Sequence, residues 1–151
     1  MSNSTQDVIY LRKSRKDDEV IKTNADVLAT HERTLLDLAN NLGLNVTDIR
    51  REVVSGDTIA ARPEMQQLLT EIEAGLWRSV IVMEVERLAR GDTIDQGIVA
   101  QTFKYSGTKI VTPMRTYDPA NEFDEEYFEF GLFMAIAYHR PYNSKPSLRS
   151  N

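Results

Sequence analysis

Three pieces of one stretch decide the fold: Val46-Thr47-Asp48-Ile49-Arg50-Arg51-Glu52-Val53-Val54, then Pro63-Glu64-Met65-Gln66-Gln67-Leu68-Leu69-Thr70-Glu71-Ile72, then Val80-Ile81-Val82-Met83. The first is rich in β-branched residues and reads as a strand, although Asp48, Arg50, Arg51 and Glu52 imply incomplete cover. Ser55-Gly56-Asp57 is its turn. Pro63 suits the first position of a helix, Met65, Leu68, Leu69 and Ile72 mark one face of it, and Gly75 closes it. The third piece is a short apolar run and reads as a buried strand. Strands joined by helix-length connections run parallel in one sheet through right-handed crossovers, since an antiparallel neighbour needs only a tight turn.

The flanking sequence repeats the pattern. Val8–Leu11 is an apolar run bounded by Asp7 and by the charged cluster Arg12–Glu19. Leu28, Leu35, Leu38, Ala39 and Leu42 recur at helical spacing, with Asn24 or Asp26 to cap the start and Gly43 to end it. Beyond Met83, Gly91-Asp92 is a turn with Asp92 or Thr93 as cap, and Ile94, Ile98, Thr102 and Tyr105 form the apolar side expected of the next helix. Lys109–Thr112 is a fourth strand stopped by Pro113, and Asp118-Pro119-Ala120-Asn121 is a turn. Phe123, Tyr127, Phe130, Met134 and Tyr138 then share one face of a last helix that ends before Pro141; Trp77 reads as packing. The order implies an α/β fold: a mainly parallel four- to five-stranded sheet flanked by helices, with a C-terminal helix. Residues 1–140 are expected to form one domain, and 141–151, rich in Pro, Ser, Asn, Lys and Arg, a disordered tail.

Composition narrows the chemistry. The 151 residues are 41% hydrophobic and 27% charged, ordinary for one packed core. Without Cys there is no disulfide framework, zinc-thiolate site, iron–sulfur ligation or thiol catalysis, and only two His remain. No apolar run approaches the roughly 20 residues of a membrane helix, so the expected location is cytoplasmic. The formal charge of −5 speaks against a bulk nucleic-acid binder, but it is localised. Six acids, Asp118, Glu122, Asp124, Glu125, Glu126 and Glu129, occur with no Lys or Arg among them, leaving 17 acids against 18 bases elsewhere. That acidic run has no EF-hand arrangement and reads as complementing a helix dipole, with no metal site.

In a parallel α/β sheet the loops beyond the carboxyl ends of the strands gather functional groups at one edge. Here those loops carry Arg12, Lys13, Ser14 and Arg15; Ser55, Gly56, Asp57 and Arg62; and Glu84, Glu86, Arg87 and Arg90. A serine among guanidinium groups suits phosphoryl chemistry, because guanidinium binds phosphate oxygens bidentately and stays charged at any working pH. Acyl transfer would need a His base and a nucleophile elbow, and nucleotide hydrolysis a glycine-rich phosphate loop; neither surrounds Ser14.

Tyr10-Leu11-Arg12-Lys13-Ser14, Ser55-Gly56 with Arg62-Pro63, and Glu86-Arg87-Leu88-Ala89-Arg90, in this order on an α/β pattern, resemble the catalytic domain of serine site-specific recombinases, the resolvase/invertase family. The match is to the large serine recombinases of mobile elements and runs over roughly Val8 to Met134. The resemblance implies that Ser14 attacks a DNA phosphodiester to give a 5′-phosphoserine link and a free 3′-hydroxyl. It implies that Arg12, Arg62, Arg87 and Arg90 hold the non-bridging oxygens, with one of them moving a proton. It implies no cofactor and no metal, the arginines supplying the positive charge, and it implies DNA and further copies of the chain, up to a tetramer, as partners.

The chain departs from that pattern in places. Glu86 stands where many members have Asp, and is expected to orient Arg87 or Arg90. His31 falls near a position where small resolvases carry a Gln close to the phosphate, and Glu71 near one where they carry Lys; His31 fits a packed helix residue equally well. Arg15, Lys16, Arg50, Arg51 and Arg78 read as a solvated face or general DNA-backbone contacts. The family's basic helix continuation and DNA-binding domains have no counterpart after Met134, so the chain reads as a truncated recombinase expected not to recombine specific sites alone. The aromatic side of the last helix is a candidate subunit interface. Two other functions fit the same residues: a catalytically silent dimerisation or regulatory remnant, and a flavodoxin-like module binding a small phosphorylated ligand.

Overall fold

A computed structural model describes residues 4–14, 24–54, 62–88 and 93–121. Five strands, β1 (Asp7–Ser14), β2 (Val46–Val54), β3 (Ser79–Ile81), β4 (Lys109–Val111) and β5 (Thr116–Tyr117), form one sheet in the order β2-β1-β3-β4-β5. The first four run parallel, as the helix-length connections require, and β5 is antiparallel to β4. Three helices accompany them: α1 (Asn24–Leu42), α2 (Pro63–Glu73) and α3 (Thr93–Ser106).

Alternation along the strands builds two cores, one on each face. Val8 and Tyr10 of β1, Val80 and Val82 at β3, and Ile110 of β4 pack with Met65, Leu68, Leu69 and Ile72 of α2 and with Val99 and Phe103 of α3. Ile9, Leu11, Ile81 and Val111 point the other way, onto Leu35 and Ala39 of α1. Each such aliphatic side chain contributes about 1.5–3 kcal/mol on full burial. Both faces being covered explains why β1 and β3 read as continuous apolar runs. Trp77 is buried in the first core, as a packing residue should be.

The helix stops fall at the expected glycines: Gly43 and Gly75 take φ +70 and +79, which side-chain-bearing residues avoid. The starts of the strands are locked by Asp7, fully buried. Its carboxylate accepts from Arg78 Nε (3.1 Å), Ser79 Oγ (2.7 Å) and the Asn45 amide (2.8 Å), joining β1, β3 and the entry to β2.

Three details differ from expectation. The buried side of α3 is Gln96, Val99 and Phe103, while Ile98 is 45% and Tyr105 75% exposed. Apolar residues are scattered around this helix, and burying the large Phe103 ring against α2 and the sheet decides which way it turns. The third strand ends at Ile81, not Met83, although the Val82 amide still donates to Val111 O at 2.9 Å. β1 runs on through Arg12 and Lys13 to Ser14, residues expected in the loop after it. The fourth strand stops before Pro113 as expected, and the Thr112 hydroxyl then donates to Arg115 O (2.8 Å) and accepts from its amide (3.1 Å), turning the chain back into β5.

The expected C-terminal helix, the acidic run from Glu122 onward and the tail lie outside the described residues. Among the described residues no helix is long and apolar enough to cross a membrane.

Candidate active site

β1 and β2 run on together to Ser14 and Val54, past the ends of β3 and β4, and charged side chains meet there. Arg12, two residues before the end of β1, pairs across the ladder with Glu52 of β2. Both are 3% exposed. A carboxylate that deep must be fully satisfied. Glu52 accepts from Tyr10 Oη at 2.6 Å and from the amides of Glu64 at 2.7 Å and Met65 at 3.2 Å.

Those two amides belong to the first turn of α2, which has no partners for them of its own. The residue at the N-cap is Arg62, whose side chain makes no capping bond, and Pro63 follows at N1. Glu52 therefore caps α2 from a neighbouring strand and puts negative charge at the positive end of the helix. Burial, the hydrogen bond to Glu52 and the charge of Glu52 together push the Tyr10 hydroxyl far above its ordinary range, against the smaller opposing effect of Arg62 and Arg12.

Arg62 is 0% exposed, and its Nη1 donates to the main-chain carbonyls of Leu88 (3.1 Å) and Arg87 (3.3 Å). These carbonyls end a three-ten turn, Val85–Arg87, that follows β3. Arg87 reaches back, Nη1 donating to Arg12 O at 3.2 Å and Nη2 to Glu84 at 3.4 Å. Its side chain is 25% exposed, so it faces the opening of the site. His31 on α1 stands half-buried at the same edge. Burial and the charge of Arg87 hold its imidazole below the ordinary range, with Glu84 pulling the other way.

Of the residues singled out by sequence, Arg12, Arg62 and Arg87 converge. Ser14 ends β1, its main chain in register with Val54 of β2, which puts it two residues beyond Arg12. Glu86 is in the three-ten turn beside Arg87. The side chains of Ser14 and Glu86, and all of Arg90, lie outside what is described. Glu52, Tyr10 and Glu84 belong to the cluster without having been assigned roles from sequence. Glu52 looked like one polar residue in a half-covered strand, and its register with Arg12 is a property of the pairing.

The other basic residues have structural work. Arg50, with a side chain 16% exposed, bonds Asp48 at 2.6 Å and Glu71 at 2.8 Å and lies 6.0 Å from the Trp77 ring centroid. Glu71 also accepts from Trp77 Nε1 at 2.8 Å and Gln67 Nε2 at 3.1 Å. Arg51 pairs with Glu32, and Arg78 with Asp7. Arg51 and Arg78 are ion-paired yet stay on a solvated face, as expected, whereas Arg50 is largely buried in its pairs; Arg15 and Lys16 lie outside the described residues.

The fold matches known catalytic domains. The N-terminal catalytic domain of TP901-1 integrase superposes with a TM-score of 0.60 at 20% identity, over 83% of this chain and 89% of that one. The C-terminal catalytic domain of ISC1926 TnpA, an IS607-like serine recombinase, gives 0.57 at 20% identity, over 71% of this chain and 68% of that one. At the level of sequence family, Resolvase, N terminal domain, matches residues 8–140, nearly the whole length over which the three arginine-bearing motifs and their sheet extend. The chain belongs to that family, the resolvase N-terminal domain.

Proposed function

We propose that the chain cleaves and rejoins DNA strands as the catalytic domain of a serine recombinase, through a phosphoserine intermediate at Ser14. The Ser14 oxygen bonds to phosphorus as the bond from phosphorus to the 3′ oxygen breaks. The serine loses its proton, the departing 3′ oxygen gains one, and the link keeps the phosphodiester energy for the reverse reaction. Arg12, Arg87 and Arg90 balance charge on the non-bridging oxygens. Glu86 orients the arginines, and Arg62 completes the cationic set. DNA and further copies of the chain are the partners of this reading, and it calls on no cofactor or metal.

The observation that carries the reading is the bond from the Arg87 guanidinium to the Arg12 carbonyl, with the Arg62 guanidinium on the Arg87 carbonyl behind it, near the end of the strand that bears Ser14. Membership of the resolvase family and likeness in fold to the catalytic domains of an integrase and a serine recombinase support it. The test is a nicked duplex that traps the cleaved state. A protein–DNA adduct that forms with the native chain and vanishes in Ser14→Ala supports the nucleophile; an adduct that survives the substitution refutes it.

A further inference from the structure

We propose that Arg62 is a positioning residue: its guanidinium latches the three-ten turn that carries Arg87, and it acts on the scissile phosphate through Arg87 without touching it. The proposal rests on the DNA-cleavage reading and assigns one of its arginines a different task.

The backbone of Arg62 is held on its C-terminal side. Pro63 restricts the chain immediately after it, and the first turn of α2 is clamped by Glu52, itself held by Tyr10. From that fixed root the side chain runs inward, with no surface left to solvent, to the carbonyls of Arg87 and Leu88. The turn satisfies its own amides, Arg87 N–H to Glu84 O and Leu88 N–H to Val85 O, both at 3.0 Å. Its final carbonyls are the groups a short helix cannot serve internally, and Arg62 serves them.

Arg62 and Arg87 thus differ in kind. Arg87 is partly exposed and points its other contacts at Arg12 O and Glu84, at the mouth of the site. A phosphate on a DNA backbone approaches from solvent and meets Arg87 there. Arg62 commits Nη1 to two carbonyls in a fully buried setting, and turning its guanidinium out to solvent would leave both acceptors unmet, which is costly. The same contacts explain why arginine suits position 62: a permanently charged donor keeps its proton in a buried place and can bridge two adjacent carbonyls.

The experiment compares Arg62→Met, Arg62→Lys, Arg87→Met and the Arg62→Met/Arg87→Met double variant in the 151-residue chain. Two quantities are read: amide hydrogen exchange at Leu88, and the rate and DNA concentration dependence of adduct formation on the nicked duplex. Arg62→Met is expected to speed exchange at Leu88 by about tenfold or more, because its carbonyl loses the latch. It is expected to slow the adduct step while moving the half-saturating DNA concentration by less than about twofold. Arg62→Lys, which keeps a charged donor on a shorter, non-planar head, restores part of both. In the Arg87→Met background the further loss from Arg62→Met is expected to be under about threefold, since the effect runs through Arg87.

Unchanged exchange at Leu88 overturns the proposal. So does a half-saturating concentration that rises in Arg62→Met as far as in Arg87→Met, or a double variant that loses the product of the two single losses. If Arg62→Met does not fold, Arg62→Lys is judged by the same criteria. If the native chain forms no adduct, the cleavage reading fails by itself and exchange at Leu88 alone decides the latch.

Discussion

Tyr10 donates its hydroxyl to Glu52 at 2.6 Å across the β1–β2 ladder, and the same carboxylate caps α2 two residues after Arg62. One buried carboxylate therefore joins two strands to the helix at whose start Arg62 stands. Glu52→Gln keeps the shape and removes the charge from a place facing two amides and a hydroxyl. Breaking a buried charged arrangement costs about 3–5 kcal/mol, and that loss is expected in urea unfolding at neutral pH. A loss below about 1 kcal/mol would show that the capping contact contributes little beyond a neutral hydrogen bond.

Tyr10 gives the same contact a pH signature. Its folded-state pKa lies above the ordinary 10.0 through burial and the adjacent Glu52. Below pH 10 the phenol is protonated folded and unfolded, so its contribution is complete. Above pH 10 the unfolded chain releases the proton and the folded chain holds it, so stability falls, by up to about 1.4 kcal/mol per pH unit. Tyr10→Phe is expected to be less stable at pH 8 by about 1–2 kcal/mol, with Glu52 left one donor short. It is also expected to lack that extra alkaline slope; parallel curves for the two proteins above pH 10 would contradict this.

Asp7 makes the opposite prediction at the far end of the strands. Burial alone would raise its pKa, but the bonds from Arg78, Ser79 and the Asn45 amide outweigh it and leave the carboxyl below 3.8. Its stabilisation is therefore complete above the unfolded value and is lost as pH falls from about 4 through the folded value. Asp7→Asn is expected to be destabilised at pH 7 by about 2–4 kcal/mol and to change less between pH 4 and 2 than the native chain. Circular dichroism during acid titration measures both.

How far the sequence reaches is clearest at α3 and β2. Met65, Leu68, Leu69 and Ile72 follow one stripe, and all four are buried, so α2 was legible residue by residue. In α3, Ile98 and Tyr105 look as apolar as Val99 and Phe103, and only packing against α2 and the sheet separates them. The meeting of Arg62 and Arg87 followed from strand order, because parallel strands deliver their loops to one edge, whereas Arg12 lies within β1 itself. Glu52 did not, because its partners Tyr10, Glu64 and Met65 are brought to it by strand register and helix docking. The α3 reading has a direct check: Phe103→Ala is expected to cost about 3–5 kcal/mol. Tyr105→Ala should stay within about 0.5 kcal/mol, as exposed substitutions usually do. Comparable losses at both positions would reverse the assignment.

His31 reports on the site itself. Burial and Arg87 lower its pKa below 6.5, and Glu84 opposes them. A half-buried imidazole beside a guanidinium is thus neutral at pH 7, and the folded chain takes up its proton later than the unfolded chain as pH falls. The imidazole's stabilisation is accordingly complete above pH 6.5 and declines as pH drops from 6.5 through the folded value. Removing each charge should move the midpoint in a known direction: Arg87→Met upward, Glu84→Gln downward, as followed by NMR of the His31 ring protons. Binding a short DNA duplex adds phosphate charge next to Arg87 and should raise the midpoint in the native chain, because a nearby anion favours imidazolium. A midpoint indifferent to Arg87→Met would place His31 electrically outside the cluster, and one that DNA leaves unmoved would place the phosphate elsewhere.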